Sequence, residues 1–197
     1  MANRFDLMGL LVGSEADEDY GKKPVIVQGI TGSFGSVHTR LMRSYGTNIV
    51  AGVTPGKGGQ EFDGIPICNS MTEAVEQSGA AISAMFVPAP YFLDAAIEAI
   101  NSGIKLLVAI PEHVPVIDSL KLIEYASERN ARVIGPNTPG VIVPGVTKIG
   151  IMPAQPFSPG KVVLLSRSGT LMYELAHNLT RAQFGQKICM GIGGDPI

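Results

Sequence analysis

An apolar strand that runs straight into a glycine-rich turn constrains this chain most. Val25–Gly35 reads VIVQGITGSFG, with β-branched residues from Val25 to Val27 and with Gly29, Gly32 and Gly35 three apart. Val37, Leu41 and Met42 then recur at helical spacing until Gly46. The pattern predicts strand, tight turn, and a helix that follows Gly35. A helix N-terminus carries unpaired N–H groups and partial positive charge, and glycines let a ligand approach them closely. Such a turn can seat a phosphate or pyrophosphate, although a tight strand-to-helix turn also needs glycine for its own geometry.

The second strand narrows the choice of ligand. A nicotinamide-binding unit places an acidic residue about twenty positions on, at the end of strand two, to hold the ribose hydroxyls. Here Asn48–Val53 runs into Thr54-Pro55-Gly56-Lys57-Gly58-Gly59, with a lysine and no carboxylate. This argues against an NAD-dependent oxidoreductase and for a ligand with more phosphate. Coenzyme A, with a pyrophosphate and a separate 3′-phosphate, fits.

Beyond this point apolar strands alternate with amphipathic helices. Strands are predicted at Ile65–Cys68, Ala81–Val87, Ile104–Ile110 and Ala131–Ile134, and helices at Met71–Gln77, Tyr91–Asn101 and Val116–Arg129. The alternation predicts an α/β fold, a parallel sheet covered on both faces. Ligands of such sheets lie outside the carboxyl ends of the strands, so ITGSFG, TPGKGG, VPAP, IPEH and GPNTPG should share one rim. The Pro- and Gly-rich stretch from Pro139 to Gly160 reads as a connection with short strands at Val141–Val143 and Ile149–Met152. A second α/β unit starts with strand Lys161–Leu165, helix Leu171–Gln183 and strand Lys187–Met190. One helix and two strands cannot bury both faces of a sheet, so this unit reads as incomplete. The domain reading is an extension at 1–22, a first domain at 23–152 and a partial second domain at 160–197.

Composition excludes several classes. A net charge of −2 gives no case for nucleic acid, and no apolar run is long enough to span a membrane. Cys68 and Cys189 are far apart and form no metal or redox motif, which suits a reducing compartment and a cytoplasmic location. The N-terminal LMGLLVG patch precedes acidic Glu15, Asp17, Glu18 and Asp19, unlike a signal or transit peptide. Its plain reading is a flexible or loosely packed extension.

Ser166, Ser168 and Thr170 surround Gly169 directly after a strand, which points to an anion-binding loop where a simple N-cap would need one hydroxyl. Gly191–Asp195 could wall the same pocket or merely reverse the chain. Lone His38, His113 and His177 have neither ligand spacing nor a nucleophile motif, and read as bystanders.

Taken in order, Gly29-x-Thr31-Gly32, the Val53–Gly59 segment, Val87-Pro88-Ala89-Pro90, Gly135-Pro136-Asn137-x-Pro139-Gly140, Ser166–Leu171 and Gly191–Pro196 form a specific set. From about Lys23 onward the chain resembles the α subunits of succinyl-CoA synthetases. The resemblance implies a Rossmann-like CoA-binding domain followed by the start of a flavodoxin-like ligase domain. It implies a tricarboxylic acid cycle reaction in which a carboxylic acid becomes an acyl phosphate, CoA displaces the phosphate, and a histidine carries phosphate to or from a nucleotide. CoA residues would be Thr31, Gly32, Ser33, Phe34, Lys57, Ile110, Pro111 and Glu112. Ser166, Ser168, Gly169, Thr170 and Tyr173 would serve substrate and phosphate. The implied partners are CoA, a small dicarboxylic acid, and a β-type subunit carrying ATP or GTP with Mg²⁺. Three departures from the family stand out. The Gly-His-Ala-Gly segment with the phosphorylated histidine is absent, so no residue here is assigned as catalytic nucleophile. Thr138 replaces the usual cysteine, and Met172 replaces a small residue. Citrate–CoA and malate–CoA ligases, and a non-catalytic CoA- or nucleotide-binding module, remain alternatives.

Overall fold

The computed structural model describes residues 6–195. Residues 1–5 of the N-terminal segment and Pro196 of the last motif lie outside the described residues. In chain order the elements are α1 (Leu7–Val12), β1 (Val25–Gln28), α2 (Ser33–Tyr45), β2 (Ile49–Val53), β3 (Glu61–Phe62), β4 (Ile65–Cys68), α3 (Met71–Ser78), β5 (Ile82–Met85), α4 (Phe92–Asn101), β6 (Leu106–Ala109), α5 (Val116–Glu128), β7 (Arg132–Ile134), β8 (Gly140–Val143), β9 (Thr147–Gly150), β10 (Pro159–Ser166), α6 (Gly169–Arg181) and β11 (Gln186–Gly191).

Seven strands form the first sheet, in the order β3-β4-β2-β1-β5-β6-β7. All its pairs are parallel except β3 with β4. Every residue of β1, β5 and β6 is buried, which is why these strands read as unbroken apolar runs. The two buried polar residues among them, Gln28 and Ser83, are satisfied: the Gln28 amide donates to the Ala95 carbonyl at 2.9 Å and its carbonyl accepts from the Ser83 hydroxyl at 3.0 Å. Strand order reverses between β1 and β5, and a ligand crevice belongs at the carboxyl ends of those two strands.

The glycine turn differs from expectation in one respect. α2 starts at Ser33, directly after Gly32, so Gly35 lies in the first helical turn instead of preceding it. The helix buries Gly35, Thr39 and Met42, whereas Val37 and Leu41 are half exposed. Gly29 is required in the turn, because its φ is +78° and an added Cβ would stand 3.0 Å from the Phe86 carbonyl oxygen.

The N-terminal segment corrects the reading of a loose extension. Asp6 caps α1 by accepting from the Gly9 N–H at 2.9 Å. Leu11 and Val12 are fully buried in the cluster that holds Val25, Val27 and Ile82. An apolar patch of this length is too short to show helical periodicity, and packing decides its fate.

The second sheet has the order β10-β11-β8-β9. β8 and β9, which the sequence assigned to the first domain, pair here: Cys189 and Met190 of β11 lie opposite Ile142 and Val141. The two units are therefore joined through 140–150 and not divided after 152. Met172 and Ala176 of α6 pack on Ile142, Phe157 and Cys189, while the outer strand β10 leaves Val163 and Leu165 more than half exposed. Thr47, just after α2, donates to the Lys148 carbonyl at 2.6 Å and ties the sheets together.

Candidate functional site

The carboxyl ends of β5, β6 and β7, the start of α2 and the N-terminus of α6 enclose a cleft of about 570 Å³. Phe34, Ile110, Pro111 and Glu112 line one wall and Gly169, Thr170 and Tyr173 the other. Residues that lie 57 (Glu112 to Gly169) to 139 (Phe34 to Tyr173) positions apart in sequence thus face one space. Thr31, Gly32, Ser33 and Lys57 lie off this cleft, on the adjoining turn. There the Lys57 ammonium donates to the Thr31 hydroxyl at 3.2 Å, and Thr31 donates to Thr54 at 3.2 Å. No side chain caps the start of α2, so its first N–H groups have no side-chain acceptor. The result is a positive edge next to a partly apolar cleft.

The hydroxyl-rich loop divides its labour. Ser168 caps α6 by accepting from the Leu171 N–H at 3.3 Å. The Ser166 hydroxyl donates to the Ser168 carbonyl at 2.9 Å and accepts from its N–H at 3.1 Å. Both serines shape the loop, and Thr170 is the hydroxyl that lines the cleft. Tyr173 stands edge-on to Phe157, 6.1 Å between ring centres, and burial pushes its phenol pKa up. It therefore stays a neutral hydrogen-bonding group at physiological pH.

Sequence reasoning put Asn137 and Arg167 inside its rim and loop motifs without a role of their own, and it passed over Phe86. Arg167 donates to the carbonyls of Gly194 and Asp195, and the Asn137 amide donates to the Asp195 carboxylate at 3.0 Å. These contacts draw the GIGGD loop in as a second wall, with Gly194 in the lining. An arginine inside a serine-rich loop was a legible signal. Phe86 was not, since it looks like any core residue of a strand.

Of the two replaced positions, Thr138 lines the cleft and Met172 does not. Thr138 is buried, donates to the Gly191 carbonyl and accepts from the Gly140 N–H at 2.9 Å. Met172 is fully buried on the inner side of α6, with Ile142 and Cys189.

No histidine lines the cleft. His113 and His177 are exposed. His38 lies behind it, edge-on to Phe34 at 4.5 Å and stacked on Phe86 at 6.0 Å, with Nδ1 buried and unpaired. Burial, and secondarily the Lys148 charge, holds its pKa below the usual 6.5. The unfolded chain therefore takes up this proton first. The stability His38 contributes is complete above about pH 6.5 and is lost as pH falls through the folded-state pKa. His38→Phe should flatten the decline of Tm between about pH 6.5 and 5. Parallel decline in the two proteins would remove His38 from that account.

A doubly wound parallel sheet, with a cleft between its strand ends and a second α/β layer, defines a Rossmann-like α/β protein. Residues 21–113 match the family described as CoA binding domain. The fold is that of a dinucleotide-forming acetyl-coenzyme A synthetase from Ca. Korarchaeum cryptofilum, with a TM-score of 0.76 and 22% identity over 95% of this chain and 40% of that one. It is also that of Methanosaeta concilii ATP citrate lyase in complex with citryl-CoA, with a TM-score of 0.75 and 21% identity over 89% of this chain and 32% of the other. In sequence, the chain is 57% identical over 172 residues to the α subunit of the ADP-forming succinate–CoA ligase of Methanothermobacter thermautotrophicus, covering 87% of this chain and 58% of that one. The Aquifex aeolicus α subunit is 52% identical over 175 residues, covering 88% and 57%. Over these residues the chain is similar to succinate–CoA ligase α subunits, and it spans a little under three fifths of the length of these relatives.

Proposed function

We propose that this chain is the CoA-binding α-type part of a nucleotide-dependent acid–CoA ligase. The observation that carries the reading is the shared cleft: the Phe34 and Ile110–Glu112 wall faces the α6 N-terminus with Thr170 and Tyr173. A thioester forms where the CoA thiol reaches an activated acyl group. A cleft with a CoA wall on one side and an anion-holding helix end on the other suits an acyl phosphate. In this reading Lys57 and the turn at Thr31–Ser33 take CoA phosphates, and Phe34 with Ile110–Glu112 holds the remainder of the cofactor. Arg167, Thr170 and the N–H groups of Gly169 and Thr170 steady the phosphate, and Tyr173 meets the acid, succinate or a related dicarboxylate. A β-type subunit supplies ATP or GTP with Mg²⁺, and phosphate crosses between the subunits on a histidine.

None of His38, His113 and His177 is placed to be that histidine. A backbone anion loop stabilises phosphate but forms no covalent intermediate, and groups that act as a unit fail together. The 197-residue chain should therefore bind CoA in calorimetry, bind NAD far more weakly, and form no acyl-CoA even with a β-type subunit present. With γ-labelled nucleotide, Mg²⁺ and that subunit, acid-labile label should be missing from all three histidines. Label on any of them, or NAD binding tighter than CoA, would overturn the assignment.

A further inference from the structure

A second cavity, of about 400 Å³, lies on the other side of Ile151 from the cleft. Leu41, Ser44 and Tyr45 of α2 line it, with Lys148 of β9 and the segment Met152–Gln155. Lys148 is only 4% exposed, although it lines the cavity. That ammonium donates to the Met152 carbonyl at 2.8 Å and stands 6.0 Å from the centre of the Tyr45 ring. No carboxylate pairs with it among the described residues. A buried ammonium with one hydrogen bond leaves two N–H groups unsatisfied, a costly arrangement unless an anion supplies the balance. The remaining wall is mostly apolar, from Leu41, Ile151, Met152, Pro153 and Ala154.

We propose that this cavity is a binding site for a small organic carboxylate, separate from the CoA cleft, with Lys148 as the cationic seat. The carboxylate accepts from the two free N–H groups, and a short alkyl body lies on Leu41 and Pro153. An inorganic phosphate satisfies the charge and leaves the apolar wall uncovered, so it binds more weakly than a carboxylate with an alkyl chain.

The test is NMR of the 197-residue chain with labelled lysine, following the Cε and Nζ signals of Lys148, assigned through Lys148→Arg. Sodium butyrate, acetate, phosphate and chloride are titrated at equal ionic strength. Butyrate should move the Lys148 signal saturably, with a dissociation constant of about 1–10 mM, the range open to so small a ligand. Acetate and phosphate should bind several-fold more weakly, and chloride should give no saturable shift. Ala154→Trp keeps the lysine and fills the cavity. It should weaken butyrate at least tenfold and leave CoA affinity unchanged. No saturable shift with butyrate, an equal response in Ala154→Trp, or a response lost in Lys57→Ala would each overturn the proposal. The first would leave water as the partner of the ammonium, and the last would put the carboxylate in the CoA cleft.

Discussion

Gly35→Ala is expected to lower stability by about 2 kcal/mol or more and to take CoA binding with it. In an isolated helix the change would be favourable, by about 1 kcal/mol of propensity. Here an added Cβ would run into the Gly29 carbonyl oxygen and stand 3.1 Å from its carbon and 3.4 Å from the Phe86 Cβ. That carbonyl has little freedom, since it accepts from the Gly32 N–H at 3.0 Å and the Gly29 N–H donates to Val53 at 2.8 Å. Overpacking against fixed backbone costs about 1–3 kcal/mol and at times more, which exceeds the propensity gain. Relief requires α2 to move away from the turn, and this displaces the N–H groups at its start. Urea midpoints and CoA titrations check both parts. A midpoint at or above wild type would mean that the helix and turn are not locked together.

The second large effect separates binding from folding. Lys57→Ala should weaken CoA roughly tenfold or more, since a charge-assisted hydrogen bond to a phosphate is worth about 1.5–3 kcal/mol. The lysine is exposed, and its recorded hydrogen bond is the 3.2 Å contact to the Thr31 hydroxyl, so Tm should stay within a degree or so of wild type. That contact matters for another reason: it holds the ammonium over the turn before any ligand arrives, which reduces the ordering cost on binding. Calorimetry showing unchanged CoA affinity would move the phosphate contact elsewhere on the rim. A fall in Tm equal to that of Gly35→Ala would make Lys57 a structural residue.

The alternation of apolar runs with amphipathic helices was enough to specify the parallel sheet, because strands buried on both faces must be apolar throughout. It also specified the rim, because a parallel sheet leaves all its carboxyl ends on one side. The chemistry of the rim was legible too: a lysine where an acid would hold ribose, and a serine-rich loop opening a helix. These are local signals, carried by residue types at fixed spacing. The tertiary structure alone decided which of those residues share a space. Thr170 and Tyr173 share a cleft with Glu112 only because β8 and β9 pair with β11, a long-range pairing without a local trace. Packing also decided that α1 belongs to the core, that Gly35 lies inside a helix, and that Val37 and Leu41 face outward despite their spacing. Lys148 is the clearest case. In sequence it is a lysine between two short strands, and only the close approach of α2 to β9 removes it from water and makes it part of a cavity lining. Periodicity reports which face of an element is apolar, whereas burial depends on what the rest of the chain places against that face.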